Sequence, residues 1–161
     1  MLECVDVTSA DTVVDLGCGN GQIVVIAAAK YGARGVGIER DPDLVAIARR
    51  NVTRNGVGHL VGIQEGDVLR MRWTPTRKVV TLYLDASLLS DLRLVLERLP
   101  AGSRIVSHQH AVPGWLTAKP IKAGQHELYR YRVAEVTRKQ KFCTSEGCTY
   151  RDVTTKVVKG F

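Results

Sequence analysis

The sequence predicts a three-layer α/β protein with a Rossmann-like, mostly parallel sheet and antiparallel strands at its C-terminal end. Three observations predict it. Short apolar β-branched runs alternate with helical runs over residues 12–108, the pattern of repeated βαβ units. The first run, Thr12-Val13-Val14-Asp15-Leu16, opens directly into Gly17-Cys18-Gly19-Asn20-Gly21 and then a helix. A strand, a glycine turn and a helix in that order place a ligand at a helix N-terminus. Beyond Trp115 the helices stop and alternating strands take over.

The first strand is Thr12 to Leu16, and residues 1–10 before it suit a single helical turn. A helix from about Gly21 to Tyr31 is apolar on nearly all sides, which predicts burial, with Gly32 as its stop. The second strand, Gly35 to Glu39, ends in an acid about 20 residues after the glycines, where a nucleotide ribose is held by its hydroxyls. Asp41 caps the next helix, Pro42 occupies its first position, and Leu44, Val45, Ala48 and Val52 form its apolar stripe up to about Asn55. Arg49, Arg50 and Arg54 sit toward its C-terminus, where cations are favoured.

The third strand, Leu60 to Gln64, leads to Gly66-Asp67-Val68, and an irregular stretch follows in which Trp73 covers an edge of the core. Lys78 to Leu84 is near-continuously apolar, as a central parallel strand is. Asp85 caps a helix whose Leu88, Leu89, Leu92, Val95, Leu96 and Leu99 share one face, and Pro100-Ala101-Gly102 ends it. The fifth strand is Ser103 to His108. Leu116–Lys122 and His126–Val136 read as two strands around Ala123-Gly124, and Thr149 to Val158 as another. Residues 1–136 form the main domain, and 137–161 a basic, β-rich extension of it.

At 161 residues the chain makes one domain with a sizeable core. No apolar run approaches the ~20 residues of a membrane span, and the N-terminal residues lack a signal-peptide pattern, so the expected location is cytoplasmic. The net charge of +7 is unevenly placed: residues 1–100 carry twelve Lys/Arg and twelve Asp/Glu, residues 101–161 eleven and four. A basic C-terminal third suits nucleic acid or another acidic surface, and equally a solvated face. Cys143 and Cys148 flank a hairpin tip as free thiols or a disulfide, and the four cysteines form no metal-ligand pattern, so no metal is expected.

A glycine turn after a strand is often plain turn chemistry. Here Asp15 stands two residues before the first glycine, and Gln22 stands where a dinucleotide site has its third. The pattern D-x-G-x-G-x-G, with Glu39 and Gly66-Asp67-Val68, resembles the class I S-adenosylmethionine-dependent methyltransferases over residues 11–116. The resemblance implies S-adenosyl-L-methionine as cofactor. It implies binding by Asp15, Gly17, Cys18, Gly19, Asn20, Gly21, Glu39, Arg40, Asp67, Val68 and Leu84. Asp15 would order the loop and the methionine end, Glu39 the ribose and Asp67 the adenine.

Thr81-Leu82-Tyr83-Leu84-Asp85 stands where enzymes acting on nucleic-acid amines often carry Asn/Asp-Pro-Pro-aromatic. Together with Ala33-Arg34-Gly35-Val36-Gly37, Pro100 to His108 and Gly114-Trp115, it is similar to the archaeal protein-lysine methyltransferases and their mitochondrial and bacterial relatives. That narrower resemblance implies lysine side chains of proteins as substrate. Tyr83 then lines a lysine channel or packs at a strand end, and His108 orients substrate or is structural. RNA methylation through the basic third, and a non-catalytic cofactor-binding subunit, are the alternatives. Relatives carry more chain before the first strand, so a second copy covering the short N-terminus is a further expectation.

Overall fold

In the computed structural model the chain is described apart from residues 73, 75, 77, 116–118 and 145–146, and side chains at 141, 143–144 and 147–150 are also outside the description. Trp73, Leu116 and the cysteine tip therefore lie outside the described residues or side chains. An eight-stranded sheet runs in the order β3-β2-β1-β4-β5-β7-β6, with β8 pairing on β7. The strands are β1 (Thr12–Leu16), β2 (Arg34–Glu39), β3 (Val61–Glu65), β4 (Val79–Leu82), β5 (Arg104–His108), β6 (Ile121–Ala123), β7 (His126–Thr144) and β8 (Gly147–Gly160). The first five are mutually parallel, and β7 is antiparallel to β5, β6 and β8.

Among the described residues three α-helices flank the sheet: α1 (Gln22–Tyr31), α2 (Pro42–Arg54) and α3 (Ala86–Leu96). Asp41 caps α2 by accepting from the Asp43 and Leu44 N–H groups, and Asp85 caps α3 by accepting from Leu88 N–H. Leu89, Leu92, Leu96 and, past the helix end, Leu99 are fully buried against Leu16, Leu82 and Ile105 on one face of the sheet. On the other face Val24, Val25 and Ala28 of α1 meet Val52 of α2 and Val61. The predicted all-round burial of α1 is partial: Ile26 is exposed.

Strand boundaries shift for a physical reason at the cofactor edge. β4 ends at Leu82 and not at the expected Leu84: Leu82 pairs with Leu16, after which β1 bends into the glycines, and with Ser107, one residue before β5 ends. Tyr83 and Leu84 are thereby released from the sheet. β7 runs on past the expected end at Val136 to Thr144, because β8 continues to pair with it after β5 has stopped.

Residues 1–7 form a 3-10 turn over Glu3–Val5 and pack Leu2, Val5 and Val7 onto Val13, Ala33, Val79 and Val106. Arg104 donates to the Val5 and Asp6 carbonyls at 2.6 and 2.8 Å and pairs with Asp11. The Val5–Asp6 end of the segment is therefore held at the start of β5, while Met1, Leu2 and Glu3 line a cavity with Gln22 and Ile23 at the start of α1.

Candidate functional site

The strand tips of β1, β2, β4 and β5 meet at the glycine turn. Gly17, Gly19 and Gly21 all have positive φ, at 71°, 53° and 76°, a region that L-residues with a Cβ seldom enter. The Gly17 and Cys18 N–H groups both donate to the Ile38 carbonyl at 2.9 Å, which straps the turn to the tip of β2. Gly37 makes this close approach feasible, since a Cβ there would sit 2.7 Å from Cys18 Sγ. Burial pushes the Cys18 thiol up to about 12, with Asp15 and Glu39 adding to the effect, so the sulfur is a protonated packing atom.

Glu39 is 9% exposed and its carboxylate turns toward the glycines. One oxygen accepts from Gly19 N–H at 2.9 Å, and the other from Arg40 and Asp41 N–H at 2.9 and 3.1 Å. A carboxylate offers about four lone-pair positions, so acceptor capacity is left facing the cavity beside it. Asp15 is 2% exposed and accepts from Thr81 Oγ1 at 2.6 Å. Burial pushes its carboxyl up to about 7, the Thr81 hydroxyl opposes that shift, and the Glu39 charge adds to it.

Two cavities share Gly17. One of about 380 Å³ is lined by Glu39, Arg40, Gly66, Asp67, Val68, Leu69, Leu84 and Leu88. The other, about 230 Å³, is lined by Asp15, Cys18, Gly19, Asn20, Gln22, Ile23 and Tyr83. Gly19, in the lining of the smaller cavity, has nothing among the described residues within 4 Å of where a Cβ would stand, so the backbone there is open to a ligand. Asp67 accepts from Leu69 N–H at 2.9 Å, and its second oxygen stands 3.6 Å from the Arg70 guanidinium.

Tyr83 is 63% exposed at the rim of the smaller cavity and packs edge-on against His108, ring centres 4.1 Å apart. His108 Nε2 lies 2.8 Å from His126 Nδ1, and His108 Nδ1 is buried with no hydrogen-bond partner among the described residues. Desolvation first, and then the His126 charge, hold His108 below the usual histidine range. The chain leaves β5 through Gln109 at φ 65°, with Ser107 Oγ donating to the His110 carbonyl.

All thirteen residues singled out from the sequence lie at this edge. Asp15, Gly17, Cys18, Gly19 and Asn20 line the smaller cavity, and Glu39, Arg40, Asp67, Val68 and Leu84 line the larger. Gly21 caps α1, where a Cβ would meet Ala48. Tyr83 and His108 are in contact, as described. Sequence reasoning missed Thr81, Gly37 and His126. A hydroxyl inside an otherwise apolar central strand was a usable signal for Thr81. His126 had none, being brought to His108 only by the antiparallel pairing of β7 with β5.

Trp115 packs edge-on against buried Tyr131, ring centres 5.0 Å apart, and donates to Glu97 at 3.1 Å. Tyr131 in turn accepts from Val112 N–H at 2.9 Å. These contacts close the α3 face of the sheet beside β5.

A family model described as the ANTKMT methyltransferase domain matches residues 15–119. The chain is 33% identical over 141 residues to the protein-lysine N-methyltransferase of Saccharolobus islandicus, covering 84% of this chain and 87% of that protein. It is 33% identical over 122 residues to the adenine nucleotide translocase lysine N-methyltransferase of Mus musculus, covering 74% of this chain and 52% of that protein. The chain thus spans about half the length of that mouse relative. A crystal structure of an RNA methyltransferase from Salinibacter ruber in complex with S-adenosyl-L-homocysteine superposes with a TM-score of 0.74 at 42% identity, covering 80% of this chain and 84% of that one.

Proposed function

This chain belongs to the ANTKMT methyltransferase domain family and is an S-adenosylmethionine-dependent methyltransferase, and from that premise we propose that the group it methylates is the lysine amine of a protein. The observation that carries the reading is Tyr83: an exposed aromatic ring stands at the rim of the cavity formed by Asp15 and the glycine turn. The relationship to the lysine methyltransferase of Saccharolobus islandicus, over most of both chains, supports it.

The residues fit the cofactor. The larger cavity, with the Glu39 carboxylate at one end and Asp67, Val68 and Leu84 around it, suits an adenosine. The smaller one, with buried Asp15 beneath it, suits the amino-acid end. Bound S-adenosylmethionine supplies a methyl group already activated by its sulfonium centre. What remains for the protein is to present a neutral amine in line and to exclude water. The Tyr83 ring takes the aliphatic stem of a lysine and favours a cation at its face. His108 fixes that ring by its edge contact. The lysine ammonium loses its proton before transfer, and desolvation at the rim lowers its pKa.

A second reading, methylation of RNA, is favoured by one observation: the name of the Salinibacter ruber protein, which is 42% identical to this chain. Incubating the purified chain with tritiated S-adenosylmethionine and whole-cell lysate separates the two. Label in protein, recovered as methyl-lysine on hydrolysis, is the expected result. Label confined to a ribonuclease-sensitive fraction overturns the lysine reading.

A further inference from the structure

Beyond Val133 the β7–β8 pair leaves the sheet. β7 runs antiparallel to β5, with Leu128 beside His108 and Arg132 beside Arg104. The ribbon therefore projects from the end of the sheet opposite the cavities. Residues 134–144, paired with β8, span roughly 35 Å at about 3.3 Å per residue. A two-stranded ribbon is marginally stable in water by itself, and among the described residues this stretch of β7 pairs only with β8.

Register separates its two faces. Arg132 stands opposite Lys159, Arg138 opposite Val153, and Arg151 opposite Gln140, all on one face. Every charged residue described on that face is a cation, all four are exposed, and Val, Ala and Thr fill the positions between them. Among the described side chains the charges of the other face pair off: Glu135 stands opposite Lys156 and Lys139 opposite Asp152, with Thr137 and Thr154 hydrogen-bonded between them at 2.8 Å. The cationic face also carries aromatic rings set against guanidinium groups. Arg132 lies 4.9 Å from the Phe161 ring, and Arg151 lies 5.7 Å from the exposed ring of Phe142.

We propose that this face of the β7–β8 ribbon binds single-stranded RNA. Guanidinium forks bind phosphate through paired hydrogen bonds, and aromatic and guanidinium planes stack unpaired bases without regard to sequence. A duplex hides its base faces and makes no use of the rings. A second copy of the chain is opposed by cation facing cation, and an acidic protein leaves the rings without a role. The single strands a cell offers in quantity are RNA. The proposal does not rest on the lysine reading, since the ribbon stands at the far end of the sheet from Tyr83.

The test is fluorescence anisotropy of a labelled 20-nucleotide unstructured RNA with the full chain between 50 and 200 mM salt. Each phosphate neutralised on a single strand contributes about −0.7 to the slope of log affinity against log salt, so four contacts give about −3. Arg138→Gln/Arg151→Gln is expected to weaken binding about tenfold or more and to flatten the slope by about 1.4. Lys139→Gln/Lys156→Gln, with the same change of charge on the other face, changes affinity less than about twofold. Calorimetric binding of S-adenosylhomocysteine, unchanged in both variants, confirms that the fold is intact. Four results overturn the proposal: no RNA binding at 50 mM salt, equal loss in the two variants, tighter binding of duplex DNA or polyglutamate, or self-association through the ribbon that RNA does not displace.

Discussion

The carboxylate of Glu39 accepts a hydrogen bond from Gly19 N–H at 2.9 Å across twenty residues of chain. That bond locks the tip of β2 to the glycine turn of β1 and sets the two cavities on either side of the turn. Because Glu39 also accepts from Arg40 and Asp41, its orientation is fixed before any ligand arrives. Glu39→Gln replaces one acceptor oxygen by a donor that faces a donor. It is expected to weaken S-adenosylhomocysteine binding by at least about tenfold, on the order of 1.4 kcal/mol or more, read by calorimetry.

Gly19 has open space at its Cβ position and a φ of 53°. Gly19→Ala meets no protein atom, so its cost to folding is the left-handed strain alone, about 1–2 kcal/mol. Gly19→Val adds branched bulk in the smaller cavity and is expected to abolish cofactor binding. Thermal unfolding and calorimetry on the two variants separate strain from occlusion.

Asp15 titrates at about 7 in the folded chain against 3.8 when unperturbed. Between those values the unfolded chain has lost a proton that the folded chain keeps, so stability falls as pH rises from 4 to 7. Asp15→Asn keeps an acceptor for Thr81 and removes the buried charge. The variant without ligand is expected to gain up to roughly 4 kcal/mol relative to wild type above pH 7, and nothing near pH 3. Urea midpoints across pH 3–8 check this. Loss of affinity for S-adenosylmethionine in the same variant shows what the costly carboxylate is kept for.

Gly37 has no space for a methyl group, with Cys18 Sγ at 2.7 Å and Ile63 Cδ1 at 2.9 Å from the Cβ position. Gly37→Ala is expected to destabilise by about 1–3 kcal/mol through overpacking. Adding Cys18→Ala removes the sulfur and should recover part of that loss, a coupling read from a double-mutant cycle of urea midpoints.

Tyr83 is exposed, and among the described residues its ring contact is with His108. Tyr83→Ala is expected to leave thermal stability and cofactor affinity near wild type while lowering kcat/KM for the protein substrate roughly 10–100-fold, about 1.4–2.7 kcal/mol. Tyr83→Phe, which keeps the ring, should retain most activity. Equal loss in the two variants would move the role from the ring face to the hydroxyl.

Local chemistry wrote most of this fold into the sequence. Asp41-Pro42 and Asp85 start helices by satisfying free N–H groups, which requires only neighbouring residues. The glycine turn, the acid at the tip of β2 and Gly66-Asp67 were legible for the same reason, because a strand–turn–helix places them by connectivity. What tertiary structure alone decided lies where strands distant in sequence meet. His126 reaches His108, and Thr81 reaches Asp15, only through the pairings of β7 with β5 and of β4 with β1. Charge totals marked the last third as basic, but the placing of Glu135 and Asp152 on one ribbon face, which leaves the other with cations alone among the described side chains, depends on the β7–β8 register. A slip of one residue would exchange the two faces of either strand, so no count along the chain could reveal it.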